Sequence, residues 1–373
     1  MTHVVFDLNG GGFESLIADM ARRQAGMGVT VSAISLSGRV GRVGRQIQPL
    51  LDQYHLLNLL PGVSMIWPLE LTHAIRGTGA DVVHLHSGSW YKGSVAAHHA
   101  GVPVVYTEHG REHHDPLLAR WLDQRAARHT AAVVAVSDRL ARYMARVLHV
   151  PAARLRTIQN GVDTSVFTPG ARPSALRGRL GIPPEALVVG SIGRLEPVKA
   201  YTRLINAVAA MRASNAVGCP VIGVLWGEGS ARAALEARIA ELGLGGAFLL
   251  PGWTENAAES HRLLDVFALT SISEGASVSL MESLASGVTP LVMDVGANAE
   301  VLGPLLAAQV VPAGDEAAFT AELTATVSDD ARRERAAVAG RRRVESHYSL
   351  DAMLRAYGRL YRELVSNCRR GSG

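Results

Sequence analysis

One stretch of the chain, residues 270–300, limits the fold more than any other. The apolar run Leu263 to Leu269 predicts a strand, and apolar residues from Val278 recur at helical spacing until Gly287. Leu291 to Met293 then predicts the next strand. In a strand-helix-strand unit, the loop after the first strand opens onto the crevice where parallel sheets bind ligands. The stretch therefore predicts a parallel α/β sheet with a site in this loop.

Two acids in this stretch are candidates for that site. Glu274 lies in the loop, and Glu282 follows eight residues later on the helix. Glu282 can face the same crevice only if the helix begins near Ser277, because eight residues span slightly more than two helical turns. The alternative is that one acid caps the helix and the other is solvated.

Length and composition favour two domains. A chain of 373 residues exceeds one compact core, and 48% apolar with 19% charged residues is ordinary for an α/β enzyme. No apolar run approaches the roughly 20 residues of a membrane span, and no basic region precedes the first apolar run, so we expect a cytoplasmic protein. Cys219 and Cys368 are too few for a disulfide framework or a metal cluster.

The first half of the chain is mildly basic. Through Thr168 it has 16 basic and 12 acidic residues, and Arg39, Arg42 and Arg45 cluster in a glycine-rich segment of unclear order before residue 62. A solvated loop is the default, and we expect no nucleic-acid partner. The alternative is a flap that touches an anionic acceptor or lipid headgroups, which would place the protein peripherally at the inner face of the membrane.

The N-terminus predicts a strand, a glycine loop and a helix. The strand His3 to Leu8 runs into three glycines that include Gly11 and Gly12, and helical spacing begins at Phe13. Glycines let the backbone approach a ligand, and a helix N-terminus favours an anion. Because the glycines lack the spacing of the dinucleotide fingerprint, NAD binding is weakly supported.

Histidines lie at the carboxyl ends of two predicted strands, Asp81 to His86 and Gly101 to Tyr106. His109 is the stronger candidate for a site residue, and His86 is the weaker one on the acceptor side. His109 with His113 and His114 suggests a metal, but no helical pair or carboxylate motif frames them, so we predict none.

The second half offers two cations and two glycine turns. After the strand Leu187 to Ile192, Arg194 and Lys199 flank a Gly/Pro loop at a helix start, which is a natural diphosphate clamp. Exposed loop charges are the alternative. The strand Val221 to Trp226 enters Gly227, and Trp253 follows the strand Phe248 to Leu250.

Several of these segments together resemble the retaining glycosyltransferases of family 4, in their glycogen-synthase-like and mannosyltransferase-like group. The second-domain motifs are Glu274-Gly275 with Glu282 on the following helix, and Gly193-Arg194-Leu195 with Lys199. The first-domain segments are Gly11-Gly12-Phe13-Glu14 and Thr107-Glu108-His109-Gly110. Ala297 and Ala200 stand where family members usually have glycine.

The resemblance implies a GT-B fold, with two Rossmann-like α/β domains and a C-terminal helix that crosses back to the first. It implies an acceptor-binding domain at 1–169, a nucleotide-sugar-binding domain at 170–348 and a crossover helix and tail at 349–373. We also expect the end from Arg369 to be disordered.

The resemblance further implies the roles of the site residues. Glu274 and His109 would contact the donor sugar, and Glu282 the ribose. The loop at Gly227 would approach the nucleotide, and the turn at Trp253 the base. The remaining predicted contacts to the donor nucleotide are Gly11, Gly12, Gly275, Ala276 and Ser277.

The predicted function is therefore retaining transfer of a sugar from a nucleotide-diphosphate sugar, with UDP or GDP as the nucleotide, to a hydroxyl on a glycan or lipid-linked acceptor. The donor is a co-substrate, and no other cofactor is expected. Because the chain contains no Asp-x-Asp pair and has two candidate cations, we predict a metal-independent reaction. The alternatives are a binding protein that lost catalysis and, less favoured, an NAD-dependent oxidoreductase.

A further expectation concerns stability. Arg194, Lys199 and Glu274 lie in predicted loops, so we expect their substitution to cost little stability, with no buried pairing dependent on them.

Overall fold

The computed structural model describes residues 1–59, 68–110, 116–214 and 216–371. The chain divides into two compact units, Met1–Asn160 with Asp351–Gly373 as unit 1 and Gly161–Leu350 as unit 2. The division after Asn160 lies ahead of the boundary near Pro169 that the sequence predicts.

Unit 1 contains a parallel sheet in the order β3-β2-β1-β4-β5-β6-β7. Its strands are β1 (Thr2–Val5), β2 (Ser32–Ser35), β3 (Tyr54–Leu56), β4 (Val83–His86), β5 (Val104–Glu108), β6 (Ala132–Ala135) and β7 (Leu155–Thr157). Strand order reverses beside β1, the position where open parallel sheets form ligand crevices.

The helices of unit 1 connect these strands. They are α1 (Gly12–Gly26), α2 (Arg42–Ile47), α3 (Leu69–Gly77), α4 (Trp90–Ala100), α5 (Leu117–Arg128) and α6 (Asp138–Arg146), with a 3-10 turn at Gln48–Leu50. The arginine cluster is more ordered than the sequence predicts, because α2 begins at Arg42 and buries Val43 and Ile47 against the unit 1 core. Residues 60–62 of that predicted segment lie outside the described residues.

The last helix of the chain returns to unit 1, as predicted. It runs from Leu350 to Gly371, and the hydroxyls of Tyr357 and Tyr361 hydrogen-bond Thr107 and His84 of unit 1. The prediction of a disordered end from Arg369 is wrong through Gly371, because the helix continues to that residue.

Unit 2 contains a second parallel sheet, in the order β10-β9-β8-β11-β12-β13. Its strands are β8 (Leu187–Ile192), β9 (Val221–Trp226), β10 (Phe248–Gly252), β11 (Val266–Leu269), β12 (Thr289–Met293) and β13 (Val310–Val311). The predicted bounds of β8 and β9 are confirmed. The strand predicted from Leu263 begins only at Val266, because Leu263 ends a helix.

The helices of unit 2 alternate with its strands. They are α7 (Ser174–Arg179), α8 (Thr202–Ala213), α9 (Arg232–Glu241), α10 (Ala257–Leu263), α11 (Val278–Ala285), α12 (Asn298–Leu302), α13 (Glu316–Ser328) and α14 (Asp330–His347), with α15 (Leu350–Gly371) following in unit 1. Two 3-10 helices occur at Pro197–Lys199 and Pro304–Gln309. The strand, loop, helix and strand predicted for residues 270–300 are β11, its loop, α11 and β12.

Membrane-spanning helices are absent from the described part of the chain, where no helix has both the length and the apolar character to cross a bilayer.

Candidate active site

The loops after β8, β9 and β10 are joined through their backbones in unit 2. The Gly193 N–H donates to the Trp226 carbonyl at 3.0 Å, and the Gly227 N–H donates to the Gly252 carbonyl at 2.8 Å. Gly227 has φ +138, and a Cβ there would overlap the carbonyl of Gly193. Only glycine therefore fits this position, which brings the β8 loop against the β9 loop.

An ion pair joins the β8 loop to the β11 loop. Lys199 Nζ lies 2.5 Å from Glu274 Oε1, and Ser271 Oγ donates to the same oxygen at 2.6 Å. The two charged side chains are only 18% and 9% exposed. Burial acts to lower the pKa of Lys199, but the charge of Glu274, its hydrogen bond and the electrostatic effect of Tyr201 together outweigh burial, so the pKa is raised. Lys199 is therefore held as a cation by an acid from another strand.

This pairing corrects the stability prediction. Substitution of Lys199 or Glu274 leaves the other charge largely buried and unpaired, which is costly. Arg194 differs, because its side chain is exposed at the start of the β8 loop. Its charge acts to lower the pKa of Lys199, which places the two cations within electrostatic range of each other.

Two hydrogen bonds fix the Lys199 segment to the loop that follows β11. Ile272 N–H donates to the Val198 carbonyl at 2.8 Å, and Thr270 Oγ1 donates to the Lys199 carbonyl at 3.0 Å. Ala200 follows with φ 46, in the left-handed region that disfavours a Cβ. The loop geometry thus requires at Ala200 a conformation that suits glycine better.

The Gly275 to Ser277 turn starts α11. Ser277 Oγ accepts a hydrogen bond from the Leu280 N–H at 3.3 Å and so caps the helix. The Ala297 N–H donates to the Gly275 carbonyl at 2.9 Å, and Ala276 is buried. Since a serine caps the helix, the alternative in which one of the two acids caps it is wrong. The condition that the helix begins near Ser277 is met.

Glu282 has its own partner. The Nε2 of His261 lies 3.2 Å from Glu282 Oε2, and the two side chains are 0% and 13% exposed. Glu282 is therefore not a solvated acid. Sequence reasoning missed His261, which precedes β11 in α10 without any motif around it. The two acids have different neighbours, Lys199 for Glu274 and His261 for Glu282.

Trp253 lies directly after β10 and is half-buried. The neighbouring Glu228 is exposed and pairs with Arg232 at 3.3 Å. The predicted nucleotide-facing turns at Gly227 and Trp253 therefore follow adjacent strands, since β9 pairs with β10.

In unit 1, Gly11 precedes α1 and the exposed Gly12 is its first residue. A Cβ on Gly11 would overlap the carboxylate of Glu14, which is 5% exposed in the first helical turn. A side chain at Gly11 would therefore displace the Glu14 carboxylate from its present position.

His109 follows β5 and is 9% exposed. Its Nε2 lies 3.0 Å from His86 Nδ1, and its ring stacks on Phe13 with centroids 5.1 Å apart. The backbone N–H of His109 donates to Ser87 Oγ at 2.9 Å, and Ser87 Oγ in turn donates to Glu108 Oε1 at 2.7 Å. Burial lowers the pKa of His109 to about 3, so the ring is neutral near pH 7.

The histidines that the structure groups closely enough for a metal site are not the three that the sequence suggested. His113 and His114 lie outside the described residues. The structure instead groups His3, His84 and His86, whose ligand atoms lie within 4.8 Å of one another. Sequence reasoning missed this group because His3 is on β1, and only sheet pairing brings it beside β4.

Comparison with known proteins agrees with this architecture. The sequence profile described as Glycosyltransferase Family 4 matches residues 10–166, and the profile described as Glycosyl transferases group 1 matches residues 174–343. A D-inositol 3-phosphate glycosyltransferase of Mycolicibacterium paratuberculosis is 30% identical over 79% of this chain and 70% of its own length. A protein of the same name from Thermobispora bispora is 28% identical, with 96% and 91% covered.

Two solved structures share the fold. Anabaena Alr3699/HepE in complex with UDP and glucose has a TM-score of 0.83 at 18% identity, covering 97% of this chain and 99% of its own. A glycosyltransferase from Rickettsia africae has a TM-score of 0.79 at 18% identity, covering 98% of each chain. The predicted GT-B architecture is confirmed. With both halves of the chain matched in order, the protein belongs to the glycosyltransferases of family 4.

Proposed function

We propose that this glycosyltransferase moves a sugar from a nucleotide-diphosphate sugar to a hydroxyl acceptor with retention of anomeric configuration. The observation that carries the proposal is the Lys199 and Glu274 pair, which holds a cation at the carboxyl ends of the unit 2 strands beside the exposed Arg194. An ammonium group has three donors, and Glu274 occupies one of them. The other two, for which the described residues show no side-chain partner, would bind oxygens of a diphosphate.

UDP and GDP are the proposed donor nucleotides. The Anabaena structure contains UDP and glucose, and an Escherichia coli relative, 27% identical over 62% of each chain, is named as a UDP-Gal-dependent galactosyltransferase. We infer a UDP-sugar as the first donor to test. Gly227, Trp253 and the Gly275 to Ser277 turn would surround the nucleotide, and Glu282 would accept from its ribose.

Cleavage of the donor puts negative charge on the leaving diphosphate. Arg194 and Lys199 would stabilise that charge, and preorganised cations of this kind supply the largest single effect in many enzymes. The leaving phosphate would take the acceptor's proton on the same face of the sugar. His109 and Glu274 would hold the sugar, with Gly11 and Gly12 near the donor. Two protein cations in this role make the proposed reaction independent of a divalent metal.

We further propose that the segment 1–169 binds the acceptor and that 170–348 binds the donor. One relative is named as a D-inositol 3-phosphate glycosyltransferase, and the name of the Escherichia coli relative gives its acceptor as GlcNAc-diphosphoundecaprenol. These names make an anionic or lipid-linked acceptor the first to test. Arg39 and Arg45 are exposed in unit 1 and would meet it, with a peripheral membrane contact. Liposome co-sedimentation tests that contact, and equal binding to anionic and neutral vesicles at low salt would exclude it.

The experiment for the proposed function is a screen of UDP-, GDP- and ADP-sugars by thermal shift, followed by product analysis. A donor that binds the folded state raises the midpoint of unfolding. We expect stabilisation by one donor class and slow release of its sugar, with transfer unaffected by EDTA. Binding without any turnover would favour the non-catalytic binding protein. Stabilisation by NAD alone would favour the oxidoreductase.

A further inference from the structure

A chain of buried side chains extends behind His109 in unit 1. From His109 Nε2 the contact to His86 Nδ1 is 3.0 Å, from His86 Nε2 to His3 Nδ1 it is 3.0 Å, and from His3 Nε2 to Gln24 Oε1 it is 3.1 Å. The rings of His3 and His86 are 1% and 0% exposed, and Gln24 is 6% exposed. The chain crosses from α1 through β1 and β4 to the end of β5. We call these four residues the histidine chain.

Every ring in the histidine chain is neutral near pH 7. Burial lowers the pKa of His3 to about 4 and that of His109 to about 3. Burial and the neighbouring histidines hold the pKa of His86 well below its usual range. A neutral imidazole has one N–H donor and one lone-pair acceptor.

One proton per ring gives the histidine chain a direction. With the Gln24 amide oriented so that Oε1 faces His3, this oxygen can only accept, so His3 carries its proton on Nε2 and accepts at Nδ1. His86 must then donate from Nε2 and accept at Nδ1. By the same rule His109 donates from Nε2. The remaining nitrogen of His109, Nδ1, is therefore an unprotonated acceptor.

A second branch extends from the other end of Gln24. Burial raises the pKa of the Tyr361 phenol well above its usual range, and a hydrogen bond with Gln24 acts against that shift. The Tyr361 hydroxyl lies 2.8 Å from His84 Nδ1, and His84 Nε2 lies 2.7 Å from Thr107 Oγ1. With Oε1 facing His3, the Gln24 amide donates to Tyr361, whose own proton goes to His84.

These contacts argue against a metal at the three histidines. Each ring nitrogen of His3, His84 and His86 already has a hydrogen-bond partner within 3.1 Å. A metal ion would have to take lone pairs from this network, and the group contains no carboxylate. The geometry suits a hydrogen-bonded relay better than a coordination shell.

The free end of the relay is His109 Nδ1, which is buried and has no hydrogen-bond partner among the described residues. A buried acceptor without a donor is destabilising, and a bound ligand that donates a hydrogen bond can remove this cost. The stacked Phe13 ring limits rotation of His109, so the lone pair keeps a fixed direction.

We propose that Gln24, His3 and His86 are positioning residues that fix His109 as a hydrogen-bond acceptor, so that its ligand must present an O–H or N–H donor. The ligand's identity rests on the proposed function, under which the donor is a sugar hydroxyl. The site then selects against ligands that carry only an acceptor, such as fluorine or an ether oxygen, at that point.

The direct test is nitrogen NMR of the full chain with 15N-labelled histidine at pH 7, with the His109 signals assigned from a His109→Gln variant. We expect His3, His86 and His109 all protonated on Nε2, and His109 Nδ1 unprotonated. His109 protonated on Nδ1, or on both nitrogens, would overturn the proposal. The wild-type spectrum decides this point even if a variant fails to fold.

A variant then separates positioning from stability. Gln24→Met keeps the volume of the side chain and removes the amide acceptor of the histidine chain. We therefore expect His109 to become a mixture of both tautomers. The specific rate with the full donor should fall about fivefold to tenfold, the size of one lost neutral hydrogen bond, while free nucleotide diphosphate binds as before. Gln46→Met, at an exposed position on α2, is the matched control. An unchanged tautomer in Gln24→Met would contradict the relay.

The ligand is tested with donors in which single hydroxyls are replaced by fluorine. One of them should lose affinity in the wild type but not in His109→Ala. Equal losses in both proteins for every analogue would exclude a hydroxyl on His109. If the NMR result holds but no nucleotide sugar is bound or turned over, the proposed function fails and the tautomer assignment stands. If transfer occurs and His109 is protonated on Nδ1, only the inference of this subsection fails.

Discussion

The two units bury polar groups in opposite ways. Unit 2 joins its loops with a full ion pair, Lys199 and Glu274, whose cation remains 18% exposed. Unit 1 uses the histidine chain, in which the rings of His3 and His86 are almost completely buried and neutral. Both clusters lie at or next to strands of a parallel sheet, and each supports a predicted site residue.

The difference follows from the cost of desolvation. A charge removed from water needs an opposite charge close by, and it loses much of its stability when that partner is removed. A neutral ring needs only hydrogen bonds, so the histidine chain can be fully buried. Its stability falls in acid, because a buried ring is then less easily protonated than a histidine in the unfolded chain. Under the proposed function, the ion pair would supply a cation to the ligand, and the histidine chain would fix the direction of the hydrogen bond at His109.

The largest expected effect comes from Lys199→Ala. Transfer should slow by roughly a hundredfold or more, because a preorganised cation at the leaving group is lost. The free energy of unfolding should also fall by roughly 3 kcal/mol, because Glu274 is left buried and unpaired. Steady-state kinetics and urea unfolding measure the two. Lys92→Ala, at the other lysine of the chain, is the control, and equal rate losses in both variants would refute the role of Lys199.

A second prediction divides the two acids. Glu274→Gln should slow the sugar step while free nucleotide diphosphate binds nearly as before, whereas Glu282→Ala should weaken nucleotide binding about tenfold by loss of a charged hydrogen bond to the ribose. Calorimetry beside a rate assay separates them, with the exposed Glu236→Ala as control. Identical behaviour of the two acid variants in both assays would end the proposed division of roles.

A third prediction uses pH to separate the units. The unfolded chain binds protons on histidine below about pH 6.5, whereas folded His3 binds one only near pH 4, so unit 1 loses stability as the pH falls through this window. Lys199 has the opposite sign. Because its pKa is raised in the folded protein, its contribution to stability is present below the pKa of lysine in the unfolded chain. That contribution is lost as the pH rises through the pKa of folded Lys199.

Two buried tryptophans report these changes, Trp90 in unit 1 and Trp226 in unit 2. In variants where the other tryptophans are phenylalanine, the fluorescence of Trp90 reports the midpoint of thermal unfolding of unit 1. This midpoint should decrease as the pH is lowered from 6.5 to 4. The groups that face His3 are His84, His86, Gln24 and the N-terminal amine, whose charge also acts to lower the pKa. A pH-independent Trp90 midpoint over this range would show that the rings are not buried as neutral groups.

The smallest effect concerns the left-handed Ala200. Ala200→Gly should raise the free energy of unfolding by about 0.5–1 kcal/mol, because the Cβ is disfavoured at φ 46. Ala210→Gly, in the exposed part of α8, should instead lower it by about 1 kcal/mol. Urea unfolding of both variants checks the opposite signs, and destabilisation by both would show that the Ala200 conformation is not strained.

Sequence patterns were sufficient for much of the fold because strand periodicity is local. The bounds of β8 and β9 came directly from apolar runs, and α11 from helical spacing ended by Gly287. The short edge strands β3 and β7 were missed, since three residues give too little pattern to detect. The helix α2 was missed because glycines and arginines obscure the pattern of its two buried apolar side chains, Val43 and Ile47.

The sequence predicted which loops carry the site residues, but not which side chains these residues contact. Arg194, Lys199, Glu274 and Glu282 could be named from their positions after strands and from the family resemblance. Their partners could not, because Lys199 and Glu274 are 75 positions apart and His3 and His86 are 83 apart. Such contacts depend on the order of strands in the sheet, which no local pattern contains.

The most direct test of the central claim compares nucleotide diphosphate with nucleotide monophosphate by calorimetry. If Arg194 and Lys199 clamp the diphosphate, the wild type should bind UDP or GDP more than tenfold more tightly than the corresponding monophosphate. This preference should shrink toward onefold in Arg194→Ala and in the charge-balanced double variant Lys199→Ala with Glu274→Gln, but persist in the exposed-site control Arg179→Ala. A preference that survives in both test variants would contradict the assignment of these two cations to the leaving group.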